Sequence, residues 1–144
     1  MSPTEVENIA RQFIQAWTAD RRDVVDEWAA SDLTVSYPHF PDDVRGPAAF
    51  KEMLAQTHRF FPDLTVEVSD VLVEGTEAAV EWAYRGTFQE GEMFGVEADG
   101  QAVEVAGMTI YRIEDGQVQS ERGVVDNFGL MMQLGAGPGA SGGQ

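Results

Sequence analysis

With 144 residues, 43% of them hydrophobic and 10% aromatic, the chain has the length of one compact domain and apolar side chains enough for a core of its own. Its 25 acidic residues against nine basic ones give a formal charge of −16, which excludes nucleic acid as a partner, while the absence of cysteine excludes disulfides, thiolate nucleophiles and Cys-ligated zinc. His39 and His58 are the only histidines, too few for a histidine-rich metal site, and no apolar run is long enough to cross a bilayer.

Eight of the nine bases are arginine and only Lys51 is lysine, a balance that fits an acidic surface kept at high ionic strength, as in proteins of salt-loving organisms. The N-terminus MSPTEVENIA lacks the basic start and apolar middle of a signal peptide, so a cytoplasmic location is expected.

Ser2-Pro3-Thr4-Glu5 reads as a helix start with a capping box, and Val6, Ile9, Ala10, Phe13 and Trp17 then recur at helical spacing. Asp20 can cap a second short helix carrying Val24, Val25 and Trp28. The stretch LTVSY reads as a strand ending at Pro38, and a third helix is expected from Pro47 to just before Pro62. On that helix His58 is expected outside, near the C-terminal end.

From Leu64 the period changes to two: Leu64, Val66 and Val68, then Val80, Trp82 and Tyr84, alternate with polar or small residues across a turn near Glu74-Gly75. The Gly- and Glu-rich segment between Gly86 and Gly100 is expected to be a mobile connection. Two further strands, AVEVAGMTIYRIE and QVQSERGVVDN, are joined by the hairpin signal Asp115-Gly116. The tail from residue 136 to 144 is small, Gly-rich and expected to be flexible, which leaves 1–135 as the domain.

Helices first and a meander of strands after them give an α+β class. A two-residue turn at Asp115-Gly116 would set Asp126 opposite Val105, Val124 opposite Gly107 and Arg122 opposite Thr109, all on one face. The other face, with Ala106, Met108, Ile110, Gly123 and Val125, is also largely apolar, so the sheet needs two covers: the helices on one side and a second copy of the chain on the other. A homodimer is therefore expected. Asp126, after two valines and before an amphipathic run, could cap the last helix or face a cavity as a base, with Asn127 free to cap in the second case. Gly107 would leave space beside it. Among the aromatics, Trp17, Tyr37, Trp82 and Phe94 are the candidates to line a pocket for a flat or lipophilic ligand.

The segments HRFFPDLTVEVSDVLVEGTEAAVEW, GEMFGVEADGQAV and MTIYRIEDGQVQSERGVVDNFGLMMQLG resemble the SnoaL-like polyketide cyclases of the nuclear transport factor 2-like superfamily, over residues 4 to 135. The resemblance implies a cone-shaped α+β barrel enclosing a deep apolar pocket, and an intramolecular aldol cyclisation without metal or cofactor. It implies catalytic roles for Asp126 and, from the loop after the first strand, His39. Val105, Gly107, Thr109, Arg122 and Val124 then join the four aromatics as candidate substrate contacts for a small apolar organic ligand. Two other readings stand beside this one: a dimeric domain that binds an apolar metabolite without catalysis, and an epoxide hydrolase, which would need an Asp-Arg-Asp arrangement that no strand here offers.

Overall fold

A computed structural model of the chain describes residues 1–136; the expected tail, apart from Ala136, lies outside the described residues. The chain opens with α1 (Pro3–Phe13), whose N-terminus is closed as its sequence indicates: the Ser2 side chain accepts from the Glu5 N–H and the Glu5 carboxylate accepts from the Ser2 N–H. Val6, Ile9, Ala10 and Phe13 are buried on its inner face. The helix tightens into a 3₁₀ turn at Ile14–Trp17, which changes the direction in which Trp17 projects.

The short helix α2 (Asp23–Trp28) is not capped by Asp20 as expected. Asp20 sits in a turn at φ 64°, and Arg22 occupies the cap position without a side-chain hydrogen bond. Next come β1 (Ala29–Ser36), the two-residue β2 (Val44–Arg45) and α3 (Pro47–Phe60). On α3, His58 is buried rather than external. Its Nε2 donates to the Trp17 carbonyl at 2.8 Å and its Nδ1 accepts from Arg22 at 2.8 Å, so this imidazole is neutral and ties α3 to the preceding segment.

The long strands β3 (Thr65–Glu74) and β4 (Glu77–Phe88) form the expected antiparallel hairpin. The segment expected to be a mobile connection folds into a small hairpin of β5 (Glu92–Met93) and β6 (Val96–Glu97), turned through Phe94 and Gly95, both at positive φ. Then β7 (Gln101–Glu114) and β8 (Gln117–Val125) pair antiparallel, and α4 (Asn127–Leu134) ends the described fold at a left-handed Gly135. The main sheet is curved and six-stranded, in the order β2-β1-β8-β7-β4-β3, with β1 and β8 parallel and every other pair antiparallel.

One irregularity decides which side chains face inward. Asp115-Gly116 is the expected two-residue turn, and Glu114 pairs with Gln117 and Ile113 with Val118. Arg112, however, pairs with Ser120, so Gln119 is an extra residue in β8. From that bulge onward the register is one residue later than the turn alone dictates. Gly107 faces Val125, Thr109 faces Gly123, and Tyr111 faces Glu121. Because a one-residue slip exchanges the faces of a strand, Arg122 and Val124 point outward instead of sharing a face with Thr109 and Gly107. On β7 the expected division holds: Val105, Thr109 and Tyr111 are buried, while Met108 lies on the outer face.

Buried apolar residues form two clusters. One joins the inner faces of α1 and α3 to the sheet through Phe13, Phe50, Leu54, Val80 and Ile113; the other joins Phe61, Leu64 and Phe88 to Val103, Val105, Leu130 and Leu134. Tyr84 and Val125 pack against both.

Candidate active site

Between these clusters lies a cavity of about 500 Å³. Ile14, Trp17, Tyr37 and Trp82 of the first cluster form one wall and Phe61, Leu64 and Leu130 of the second form another; Phe40, His39, Phe60 and Phe94 complete it from the loops and the end of α3. The size and aromatic lining suit a small, flat, apolar molecule. Among the described residues no Lys, Arg, Asp or Glu lines it. Its polar lining residues are His39, Tyr37, Tyr84, Gln56, Thr57 and Asn127.

The expected site residues divide into three groups. Trp17, Tyr37, Trp82, Phe94 and His39 line the cavity. Thr109, Val105 and Gly107 lie behind its wall: Thr109 and Val105 are buried, and Gly107 is covered by Trp82, whose ring carbon Cζ2 would stand 2.3 Å from a Cβ at that position. The space expected beside Gly107 is therefore filled by the indole. Arg122, Val124 and Asp126 lie outside. Arg122 is exposed and 3.6 Å from Glu77 across the outer face, and Val124 is 55% exposed. Asp126 is exposed and its Oδ1 accepts from the Gly129 N–H at 2.8 Å, an N-cap of α4. The expected division of labour between two neighbours is inverted: Asp126 caps the helix and Asn127 turns to the cavity.

His39 stands at the cavity beside Tyr37 and Phe40, with ring centroids 5.9 and 4.8 Å away. Desolvation lowers its pKa, which keeps the imidazole neutral and basic near neutral pH. Desolvation raises the pKa of Tyr84 above the ordinary phenol value, so its phenol stays protonated and can only act as a donor or acceptor of hydrogen bonds.

The residue that sequence reasoning missed is Glu121. It is fully buried beneath the cavity wall, and burial pushes its carboxyl up to about 7 despite the hydrogen bonds it accepts. Its Oε2 accepts from Tyr37 Oη at 2.6 Å and from Trp17 Nε1 at 2.9 Å. Tyr37 Oη is also 2.9 Å from Thr109 Oγ1, which accepts from Trp82 Nε1 at 2.9 Å. Gly123 is what lets these groups meet, since a Cβ there would stand 2.8 Å from Thr109 Oγ1 and 2.9 Å from the Tyr37 ring. No local motif marks Glu121; only the bulge at Gln119 turns it inward. Among the described residues there is no group of three or more His, Asp or Glu arranged to hold a metal ion.

The family model for the SnoaL-like polyketide cyclases matches residues 7–134. The chain belongs to that family. Solved structures agree on the fold. A candidate SnoaL-like polyketide cyclase from Jannaschia sp. CCS1 superposes with a TM-score of 0.80 at 27% identity, covering 96% of this chain and 98% of its own. AclR from Streptomyces galilaeus, described as a candidate hydroxylase, gives 0.80 at 25% identity, with 95% and 100% covered. TsrD from Streptomyces laurentii gives 0.81 at 24% identity, with 94% and 98% covered. No curated protein sequence matches the chain at a significant level. No helix among the described residues is long and apolar enough to cross a membrane.

Proposed function

We propose that the SnoaL-like unit, residues 1–135, is a cofactor-free cyclase or isomerase that binds a small apolar carbonyl compound of polyketide type in the cavity and enolises it. The observation that carries this reading is an apolar cavity whose wall holds a neutral, basic imidazole, His39, together with neutral hydrogen-bond donors at Tyr84 and Asn127. His39 takes the proton alpha to a carbonyl, and a donor stabilises the enolate oxygen. In a cyclisation the enolate carbon attacks a second carbonyl of the same molecule, and the imidazolium returns its proton to the new alkoxide. The net change is an isomerisation in which one C–H bond and one C=O π bond are replaced by one C–C bond and one O–H bond. Asp126, the base implied by the family resemblance, takes no part in this reading because its carboxylate is engaged as a cap outside the cavity lining.

The test is hydrogen–deuterium exchange alpha to the carbonyl of 2-tetralone in deuterated buffer, followed by NMR. The protein should accelerate exchange, and His39→Gln should reduce the acceleration by about 10²-fold, the usual contribution of a general base. Exchange no faster with the wild type than with the variant would instead favour a binding domain for an apolar metabolite. That second reading is supported by the absence of any carboxylate from the cavity lining.

The proposed acting form is a cytoplasmic homodimer with a surface suited to high salt. Its support is the outer sheet face, where Met108 is 46%, Val124 55% and Leu72 66% exposed, together with the charge of −16. Light scattering that returned one subunit mass in molar potassium chloride would count against the dimer.

A further inference from the structure

We infer that Glu121, although it does not line the cavity, is the positioning residue that sets the cavity's aromatic wall: one carboxylate oxygen holds Trp17 and Tyr37 directly and Trp82 through Thr109 and Tyr37. The inference rests on the reading of the cavity as the ligand site and assigns a residue that organises it.

The hydrogen bonds have a single consistent direction. An indole N–H can only donate, so Trp82 Nε1 donates to Thr109 Oγ1. Tyr37 donates to Glu121 Oε2 at 2.6 Å, the length of a charge-assisted bond. Its oxygen is then free to accept from the Thr109 hydroxyl at 2.9 Å. Trp17 Nε1 closes the set from the other side, donating to the same Oε2. Every donor runs toward Glu121, and three of the four side chains that it controls face the ligand space. The rings are packed on one another as well: Trp17 meets Tyr37 edge to face at 6.0 Å, and Trp82 stacks on Tyr84 at 6.0 Å.

An apolar residue at this position would fill the same space without the cost of desolvating a carboxylate, so packing alone does not account for a glutamate there. A strong acceptor does, because it fixes the orientation of Trp17, whose ring otherwise packs on other aromatics, and of Tyr37, whose other polar contact is Thr109. The groups that face the carboxyl are Tyr37 beyond the end of β1, Tyr111 on β7 and Trp17 of the 3₁₀ turn; no Lys, Arg, His or Asp is paired with it. Tyr111 Oη faces the carboxyl, and neither it nor Glu121 Oε1 makes a hydrogen bond of ordinary geometry, so the second carboxylate oxygen can take up a proton while the donors at the first stay in place. Ionisation strengthens those bonds and protonation weakens them.

The test follows the indole N–H resonances of Trp17 and Trp82 by NMR between about pH 5 and pH 8, the span in which a carboxyl displaced upward by burial titrates. Binding of the neutral fluorophore N-phenyl-1-naphthylamine is measured alongside. In the wild type both indole signals should shift with one midpoint, and fluorophore affinity should rise about three- to tenfold across it. Glu121→Gln, nearly isosteric, should abolish both titrations and flatten the affinity. Thr109→Val should leave Trp17 following pH while Trp82 no longer does. A residue that only filled the core would give none of these patterns. Trp82 still titrating in Thr109→Val, or unequal midpoints in the wild type, would overturn the inference. Coupled indole titrations in a protein that bound no fluorophore at any pH would support the role of Glu121 and count against the cavity as a ligand site.

Discussion

One carboxylate stands in the middle of β8 and another just past its end, and the two have opposite fates. Glu121 near the middle of the strand is fully buried, accepts from two cavity-wall side chains and is pushed up to about 7. Asp126, just past the strand's end, is exposed and accepts from the first turn of α4. A glycine permits each arrangement: Gly123 beside the buried network, Gly129 beside the cap, where a Cβ would stand 2.3 Å from Asp126 Oδ2. The difference teaches that residue type alone does not select the inward carboxylate. The extra residue at Gln119 does, by exchanging the faces of everything after it.

The buried carboxylate should reveal itself most strongly through pH. Glu121 is raised from 4.5 in the unfolded chain to about 7 in the fold, so between these values the native state binds the extra proton. Stability should therefore fall as pH rises from about 4.5 to about 7, by an amount on the order of 3 kcal/mol. Below that window both states are protonated, and above it the full cost of the buried charge persists. Urea denaturation across the window should show this slope in the wild type and lose it in Glu121→Gln, whereas Asp126→Asn should retain it.

A smaller effect should come from Gly123→Ala. The new Cβ would meet the Met108 carbonyl oxygen at 2.4 Å and the Thr109 hydroxyl at 2.8 Å, and a backbone oxygen cannot move aside cheaply. The expected loss is about 2 kcal/mol by urea denaturation, in the range for overpacked interiors. It should be accompanied by altered indole N–H signals, and unchanged stability would contradict the close packing around the network. The smallest effect is at the helix cap that follows the strand. Asp126→Ala should cost about 1 kcal/mol as a lost helix cap, and Asp126→Asn almost nothing, because Asn caps nearly as well. A loss several times larger from Asp126→Asn, in turnover or in stability, would restore Asp126 to the site.

Much of this fold was legible in the sequence because local rules and tertiary structure agree. Ser2-Pro3-Thr4-Glu5 closes α1, Pro47 opens α3, and Asp115-Gly116 makes the hairpin turn with both residues at positive φ. The aromatic candidates Trp17, Tyr37, Trp82 and Phe94 do line the cavity, Trp82 from an inward strand position and Phe94 from the exposed turn between β5 and β6. The reading of β8 failed at a feature with no local signature: Gln119 looks like any polar strand residue, yet as a bulge it puts Arg122 and Val124 outside and Glu121 inside. His58 was misread for a similar reason. Its neighbours at the C-terminal end of α3 indicate a surface position, and only the approach of Trp17 and Arg22 from distant segments makes it a buried bridge.

A crystal structure of the protein grown with 1-phenyl-1,3-butanedione, a small aromatic 1,3-dicarbonyl compound, tests the central claim most directly. The ligand is expected in the cavity, its ring against Trp17, Tyr37 or Trp82 and the carbon between its carbonyls facing His39, with Asp126 still bonded to the Gly129 N–H. A ligand found against Asp126, with the cap broken and the cavity empty, would contradict it.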